Sequence, residues 1–433
     1  MRVVYVNDHD LAGRRFNGHD LQLYLNSNGY EAYQFVMNKA GTDPHTIPII
    51  QKDESRFLRE KCIEFEEKIS MQSVIYPFGE IIQEKKEFKE ADIVHYHLIF
   101  NHFMSLYSFK RLAQLKPTVW TLHDPWALTG HCVHPLDCKG WLTGCKHCKH
   151  LDRNSPLKED HAAAIWNIKR DIYKEIDIDI VVSSQWMYDM VKKSPLTKHF
   201  ERVHLIPFGI DVDLFKRRED REKIRKSMGI GDDDFVIMFR QSTIEWKGQP
   251  YVVEMLKKLK SKKKPILLTV GQTGTLDELK DKYRVIENPW INDNKFLVEL
   301  YSVADLFLMP SVAESFGLMA VEAMACSLPV IVTEGTALPG VTFAPECGIT
   351  LKKGDTDSFV KTVTRLMSNP KECIKRGHLG RELAEKHYKI ERYNKQMIQL
   401  YEEIYSKNKK TRRYGQGEYN NMRFREGECV RCD

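Results

Sequence analysis

"SVAESFGLMAVEAMACSLPVIVT", residues 311–333, opens as a turn, continues with the composition of a helix and ends in a short β-rich run. The apolar "DLFLMP" (305–310) stands directly before it. Strand, turn, helix and strand in this order form the repeating unit of a parallel α/β layer. Two glutamates, Glu314 and Glu322, interrupt the apolar run eight positions apart. A buried carboxylate without a partner is costly, so the pattern raises the question of what they hold.

Glu314 falls in the strand-to-helix turn, at the carboxyl edge of a sheet, and Glu322 falls about one and a half turns into the helix. Between them, the backbone N–H groups of Ser315, Phe316, Gly317 and Leu318 lie free at the helix N-terminus, an arrangement suited to phosphate. An elongated ligand with hydroxyls at each end and a diphosphate between them fits this order. A nucleotide-sugar has those parts, because a carboxylate accepts two hydrogen bonds from a hydroxyl pair. The residues alone leave a second reading open, a capping Glu and a salt-bridged surface Glu.

The same grammar extends in both directions. "RVVYVN" (2–7), "ADIVHYH" (91–97), "PTVWTLHD" (117–124) and "DIDIVVSS" (177–184) read as buried strands of one parallel sheet. "DFVIMFR" (234–240), "PILLTVG" (265–271), "DLFLMPS" (305–311) and "PVIVT" (329–333) read as a second. Pro207 and Gly209 break the pattern between the two. The expected fold is α/β with two Rossmann-like domains facing across a cleft, and ligands at the carboxyl ends of the strands. The expected domains are 1–206 with a Cys-rich loop at 131–150, a linker at 207–217, and a second domain at 218–388. A helix at 389–407 and a basic mobile tail at 408–433 complete the expectation.

Length and composition fit two domains with real cores: the chain has 433 residues, 42% apolar and 29% charged. A net charge of +6 is too small to argue for nucleic acid. No apolar run approaches the roughly 18 residues of a membrane span. "MRVVYVNDHD" turns polar too early for a signal peptide, so the expected compartment is the cytoplasm, with the 10 cysteines mostly reduced. The basic tail reads either as a solvated terminus or as a peripheral contact with an anionic membrane face, and Cys429 and Cys432 within it form an isolated pair.

The stretch 310–333 resembles the E-x7-E signature of family 4 glycosyltransferases, in spacing and in strand–loop–helix–strand context. "IPFGIDVDLF" (206–215) resembles the interdomain segment of that family, with Phe208 where an Asn is usual. "FRQSTIEWKGQP" (239–250) resembles its phosphate-binding stretch, with Arg240 and Lys247 as the basic pair. The resemblance implies the GT-B fold, with the C-terminal helix crossing back to the first domain. It implies retaining transfer from an NDP-sugar donor without a catalytic metal, cations neutralising the leaving diphosphate. By the same resemblance Glu314 contacts the transferred sugar and Glu322 the donor ribose.

In the first half, "NDHDLAGRRFNGHDL" (7–21), through Gly13 with Arg14 and Arg15, loosely resembles the first loop of the family, which approaches the donor phosphate and the acceptor, and Gly13 and Arg14 are candidates for the cleft. His123 ends a strand at the carboxyl edge, and its family counterpart sits beside the reacting sugar. Asp124 beside it is a candidate to orient His123 or to act on the acceptor. His95 and His97 share one strand face and are candidates for cleft lining or for core packing.

Cys132, Cys138, Cys145 and Cys148 follow as C-x5-C-x6-C-x2-C, with four histidines interleaved. A structural zinc is one reading of this cluster, and reduced thiols packed in the loop are the other. "TLHDPWALTGHC" with the cysteines after it resembles a subset of exopolysaccharide glycosyltransferases. That points to a glycan or lipid-linked glycan acceptor in surface-polysaccharide assembly. The competing functions are a nucleotide-sugar epimerase of similar fold and a non-catalytic sugar-nucleotide-binding module.

Overall fold

In β1 (Arg2–His9) every residue from Val3 to Asp8 is buried, as expected of a strand covered on both faces by helices. The computed structural model describes the backbone of residues 1–50, 52–153 and 155–425, and the side chains of these except 52–56 and 410–425. β2 (Glu31–Asn38), β3 (Thr46–Pro48), β4 (Ile93–Tyr96), β5 (Thr118–Leu122), β6 (Asp179–Val182) and β7 (Val203–Leu205) complete a seven-stranded sheet. The order is β3-β2-β1-β4-β5-β6-β7, parallel throughout.

The second sheet holds β8 (Val236–Gln241), β9 (Ile266–Gly271), β10 (Val285–Pro289), β11 (Leu306–Met309), β12 (Val330–Thr333) and β13 (Ile349–Leu351). Its order is β10-β9-β8-β11-β12-β13, again parallel. In each sheet the strand order reverses beside the first strand, at β1/β4 and at β8/β11. Such switch points open a crevice at the carboxyl ends of the strands. The loops after β1, β4, β5, β8 and β11 carry most of the site residues expected from the sequence, with His95 and Arg240 on strands and Leu318 and Glu322 on a helix.

One apolar cluster runs through both domains, joining Val3 and Tyr5 of the first sheet to Met238 and Phe307 of the second through Phe208, Phe316 and Tyr393. The backbone between β7 and the helix Arg221–Ser227 is tied to the end of the chain, since Ile210 N donates to Tyr388 O and Ile390 N returns a bond to Ile210 O. Beyond this knot the helix Ile390–Arg425 crosses back to the first domain, as expected, and Tyr401 packs under β1 and β4. The helix outruns the expected end at 407 and enters the segment read as a mobile tail. That segment contains no proline to stop it, and its Lys and Arg residues form helices readily, against the lower propensity of Gly415 and Gly417. The remainder of the tail, with Cys429 and Cys432, lies outside the described residues. Among the described residues no helix is long and apolar enough to cross a membrane.

Candidate active site

The basic turn after β8 owes its position to a glycine. Gly248 has φ of +77°, and a Cβ there would lie 2.0 Å from the carbonyl oxygen of Pro310 at the end of β11. Only a residue without a side chain lets this turn lie against the neighbouring strand end. Val312 N donates to Trp246 O at 2.9 Å, which closes the same contact. In consequence Lys247 faces the loop after β11, where its Nζ donates to Glu314 Oε1 at 2.5 Å. Two residues that sequence reading placed in separate motifs are therefore one ion pair.

Arg240, at the end of β8, lies with its guanidinium 5.1 Å from the ring centroid of the exposed Trp290. Its Nε is buried without a hydrogen-bond partner. Desolvation lowers its pKa, and the charge of Glu314 opposes the shift.

Gly317, at φ +96°, starts the helix Leu318–Ala325, and Leu338 occupies the space a Cβ would need. Ser315 is buried, with its Oγ unpartnered, and its carbonyl oxygen accepts from Ser184 Oγ of the first domain at 2.6 Å. Phe316 packs edge-on against Phe208 and Tyr388. Six residues on, Glu322 is fully buried. Tyr301 Oη donates to its Oε2 at 3.0 Å, and Arg15 of the first domain bonds its Oε1. Burial pushes the Glu322 carboxyl up, while Arg15 and Tyr301 pull it back. The two glutamates have separate partners, Lys247 for Glu314 and Tyr301 with Arg15 for Glu322.

On the opposite wall, His95, His97, His123 and Phe208 form a stack, with centroid separations of 4.3, 5.1 and 5.6 Å. His97 Nδ1 and His123 Nε2 share a hydrogen at 2.9 Å, leaving His97 Nε2 and His123 Nδ1 buried and unpartnered. Burial lowers His123 to about 3, so its ring is neutral across the physiological range. His95 lies behind the cleft with both nitrogens engaged, Nδ1 to Tyr401 Oη and Nε2 to Thr121 Oγ1. Of its two sequence readings, the packing one describes it.

Asp124 caps the short turn Pro125–Leu128 through Trp126 N, and desolvation raises it to about 7. Beneath that turn Lys169 is fully buried, donating to the carbonyl oxygens of Trp126 and Thr129. Asp124 thus holds the loop that follows His123.

Gly13, at φ +73°, turns the first loop against the Phe16 ring. Arg14 is bonded to Asp20 in the helix that follows, and Arg15 is the residue that reaches the cleft. Sequence reading passed over Gly18, where a Cβ would stand 2.7 Å from His97 Nε2. The signal for Gly18 was its place immediately before the first helix. His134, on the cysteine-bearing loop, feels the charges of Glu314 and Lys247 across the cleft, although burial dominates and lowers it to about 4.

Cys132, Cys138, Cys145 and Cys148 line one cavity of about 150 Å³ with His131, His147 and His150. His131 Nε2 lies 3.4 Å from Cys148 Sγ and 3.6 Å from Cys132 Sγ. Among the described residues no group of three or more His, Cys, Asp or Glu side chains is arranged to hold a metal ion. As folded, the loop is a thiol-lined pocket in which Cys138 and Cys145 accept bonds from the N–H groups of Gly140 and Gly130.

Two family profiles match in tandem, "Glycosyltransferase Family 4" over residues 19–214 and "Glycosyl transferases group 1" over residues 220–409. The chain is a family 4 glycosyltransferase. This glycosyltransferase is 25% identical over 305 residues to an Escherichia coli (strain K12) protein named as the colanic acid biosynthesis glycosyl transferase WcaC, covering 68% of this chain and 70% of that one. It shares its fold with the sucrose-phosphate synthase of Thermosynechococcus elongatus at a TM-score of 0.67 and 19% identity, over 94% of this chain and 99% of that one. It is also similar to Anabaena HepE, solved with UDP-glucose, at a TM-score of 0.62 and 15% identity, over 92% and 99% of the chains. The two-sheet architecture of the glycosyltransferase is GT-B.

Proposed function

We propose that this glycosyltransferase moves a sugar from a nucleoside-diphosphate donor to a glycan or lipid-linked glycan acceptor, with retention, in surface-polysaccharide assembly. The observation that carries the reading is the order of groups along the cleft. A Lys247–Glu314 pair lies at one end, a helix N-terminus in the middle, and the buried Glu322 at the other. The UDP-glucose complex of HepE and the name of WcaC support the donor class and the polysaccharide context.

In this mechanism Glu314 accepts hydrogen bonds from the transferred sugar, and Glu322 from the ribose. Lys247, Arg240 and the N–H groups of residues 315–318 stabilise the charge that develops on the leaving diphosphate. These fixed cations supply the electrostatic work without a metal. Neutral His123 keeps a buried Nδ1 without a protein partner, a nitrogen that a sugar hydroxyl drawn against the ring would satisfy. The acceptor attacks from the face the diphosphate leaves, and a phosphate oxygen takes the acceptor proton.

A thermal-shift screen of NDP-sugars identifies the donor, since a bound donor raises the melting point by mass action. Transfer with that donor is then followed in chelator, and the anomer of the product is read by NMR. Retained configuration with undiminished rate in chelator is the expected result. An inverted product refutes the retaining mechanism, and loss of rate in chelator refutes the metal-free one.

A further inference from the structure

We infer that Arg15 is a donor-site residue lent by the first domain, paired with Glu322 as the chain folds and transferred to the donor diphosphate on binding. The inference rests on the donor reading of Glu322 given above. Its starting point is that each oxygen of the Glu322 carboxylate already holds a partner, Oε2 Tyr301 and Oε1 Arg15, and that the carboxylate is fully buried beneath them. Its free lone pairs are therefore out of reach, and a ribose diol gains access only when one partner moves aside.

The two partners differ in freedom. Tyr301 is fully buried, packed against Phe215 and Phe307 within the second domain. Arg15 keeps about a third of its side chain exposed, 30%, and comes from the opposite wall. Its guanidinium lies 5.7 Å from the Phe215 ring centroid. Arg15 is therefore the partner that yields.

The loop that carries it is built to hold its position. Asn17, buried, donates through Nδ2 to the carbonyl oxygens of His9, Asp10 and Ala12, and Phe16 N and Asn17 N both return to Gly13 O. With the backbone clamped, the Arg15 side chain moves by its own rotamers. Ribose and diphosphate are adjacent in any nucleoside diphosphate, so a guanidinium displaced from the ribose site meets the diphosphate at once. Bidentate pairing makes Arg suited to both partners. A free nucleoside offers no such exchange: it has to break the Arg15–Glu322 pair and gives nothing back.

The test compares nucleoside with nucleoside diphosphate by calorimetry, using uridine against UDP and guanosine against GDP, on the wild type, Arg15→Gln and Arg15→Lys. In the wild type the diphosphate binds far more tightly than the nucleoside. In Arg15→Gln the nucleoside gains affinity, the diphosphate loses it, and the ratio between them falls by roughly a hundredfold, about tenfold from each side. Arg15→Lys, which keeps the charge without the fork, restores part of the ratio. Melting curves establish that both variants fold. An unchanged ratio in a folded Arg15→Gln, with UDP or GDP still bound, overturns the role of Arg15 alone. If the wild type binds neither diphosphate, the donor reading falls with it.

Discussion

Tyr401 Oη lies 2.6 Å from His95 Nδ1, so the helix Ile390–Arg425 is hydrogen-bonded to the row of imidazoles that ends at His123. Tyr5 Oη, 3.1 Å from the same hydroxyl, completes the junction under the first sheet. Tyr401→Phe leaves His95 Nδ1 buried without its partner, a loss of roughly 1–3 kcal/mol. The expected outcome is a lower urea midpoint with an unchanged m-value, and a transfer rate that falls less than that of a His123→Ala variant.

Glu314 and Lys247 share one ion pair, yet their replacements separate. Lys247→Met removes a cation from the leaving group and is expected to lower kcat by about a hundredfold, as loss of one such stabilising group does elsewhere. Glu314→Gln keeps the shape but weakens acceptance of sugar hydroxyls, so NDP affinity is retained while NDP-sugar affinity falls. Equal losses for NDP and NDP-sugar in Glu314→Gln remove the sugar from its role.

Gly248→Ala forces a Cβ into the space of the Pro310 carbonyl oxygen and strains a residue at φ +77°. A cost of roughly 1–3 kcal/mol or more is expected, together with loss of NDP binding as the Lys247 turn is pushed off the strand end. Gly354→Ala, at φ +78° with nothing within 4 Å, carries the backbone strain alone. It is expected to cost less and to leave NDP binding intact, which thermal melts with and without ligand resolve.

The imidazoles set a pH dependence. His95 and His123 are lowered to about 3, and His97 well below its ordinary value, chiefly by burial. A depressed group contributes stability above its unfolded pKa, near 6.5, that is lost as pH falls toward the folded value. Asp124, raised to about 7, works in the opposite sense, contributing at low pH and losing that contribution as pH rises through about 7. His131 and His134 are lowered by burial as well, and these five imidazoles outweigh the raised carboxyls of Asp124, Glu322 and Asp8, so the urea midpoint is expected to drop between about pH 6.5 and 4. His97→Phe is expected to shallow that drop. A midpoint that holds or rises on acidification contradicts the burial of neutral imidazoles.

The alternation of β-branched strands with amphipathic segments was enough to identify two parallel α/β domains, because burial on both faces leaves its mark in composition. The spacing of Glu314 and Glu322 was enough to place them on a turn and on a helix, because both lie within one local unit whose geometry is short-range. Partners were another matter. Which cation meets Glu322 depends on the approach of two domains whose residues lie 307 positions apart in the chain. Arg14 and Arg15 are equivalent in sequence, and only the turn clamped by Gly13 and Asn17 aims one at Asp20 and the other at the cleft. His95 and His97 share a strand face, yet Tyr401 from the far end of the chain claims one for the core and leaves the other against His123. Local periodicity determines the elements and their faces, whereas the pairing of charges across the cleft is decided by long-range packing, which no stretch of sequence contains.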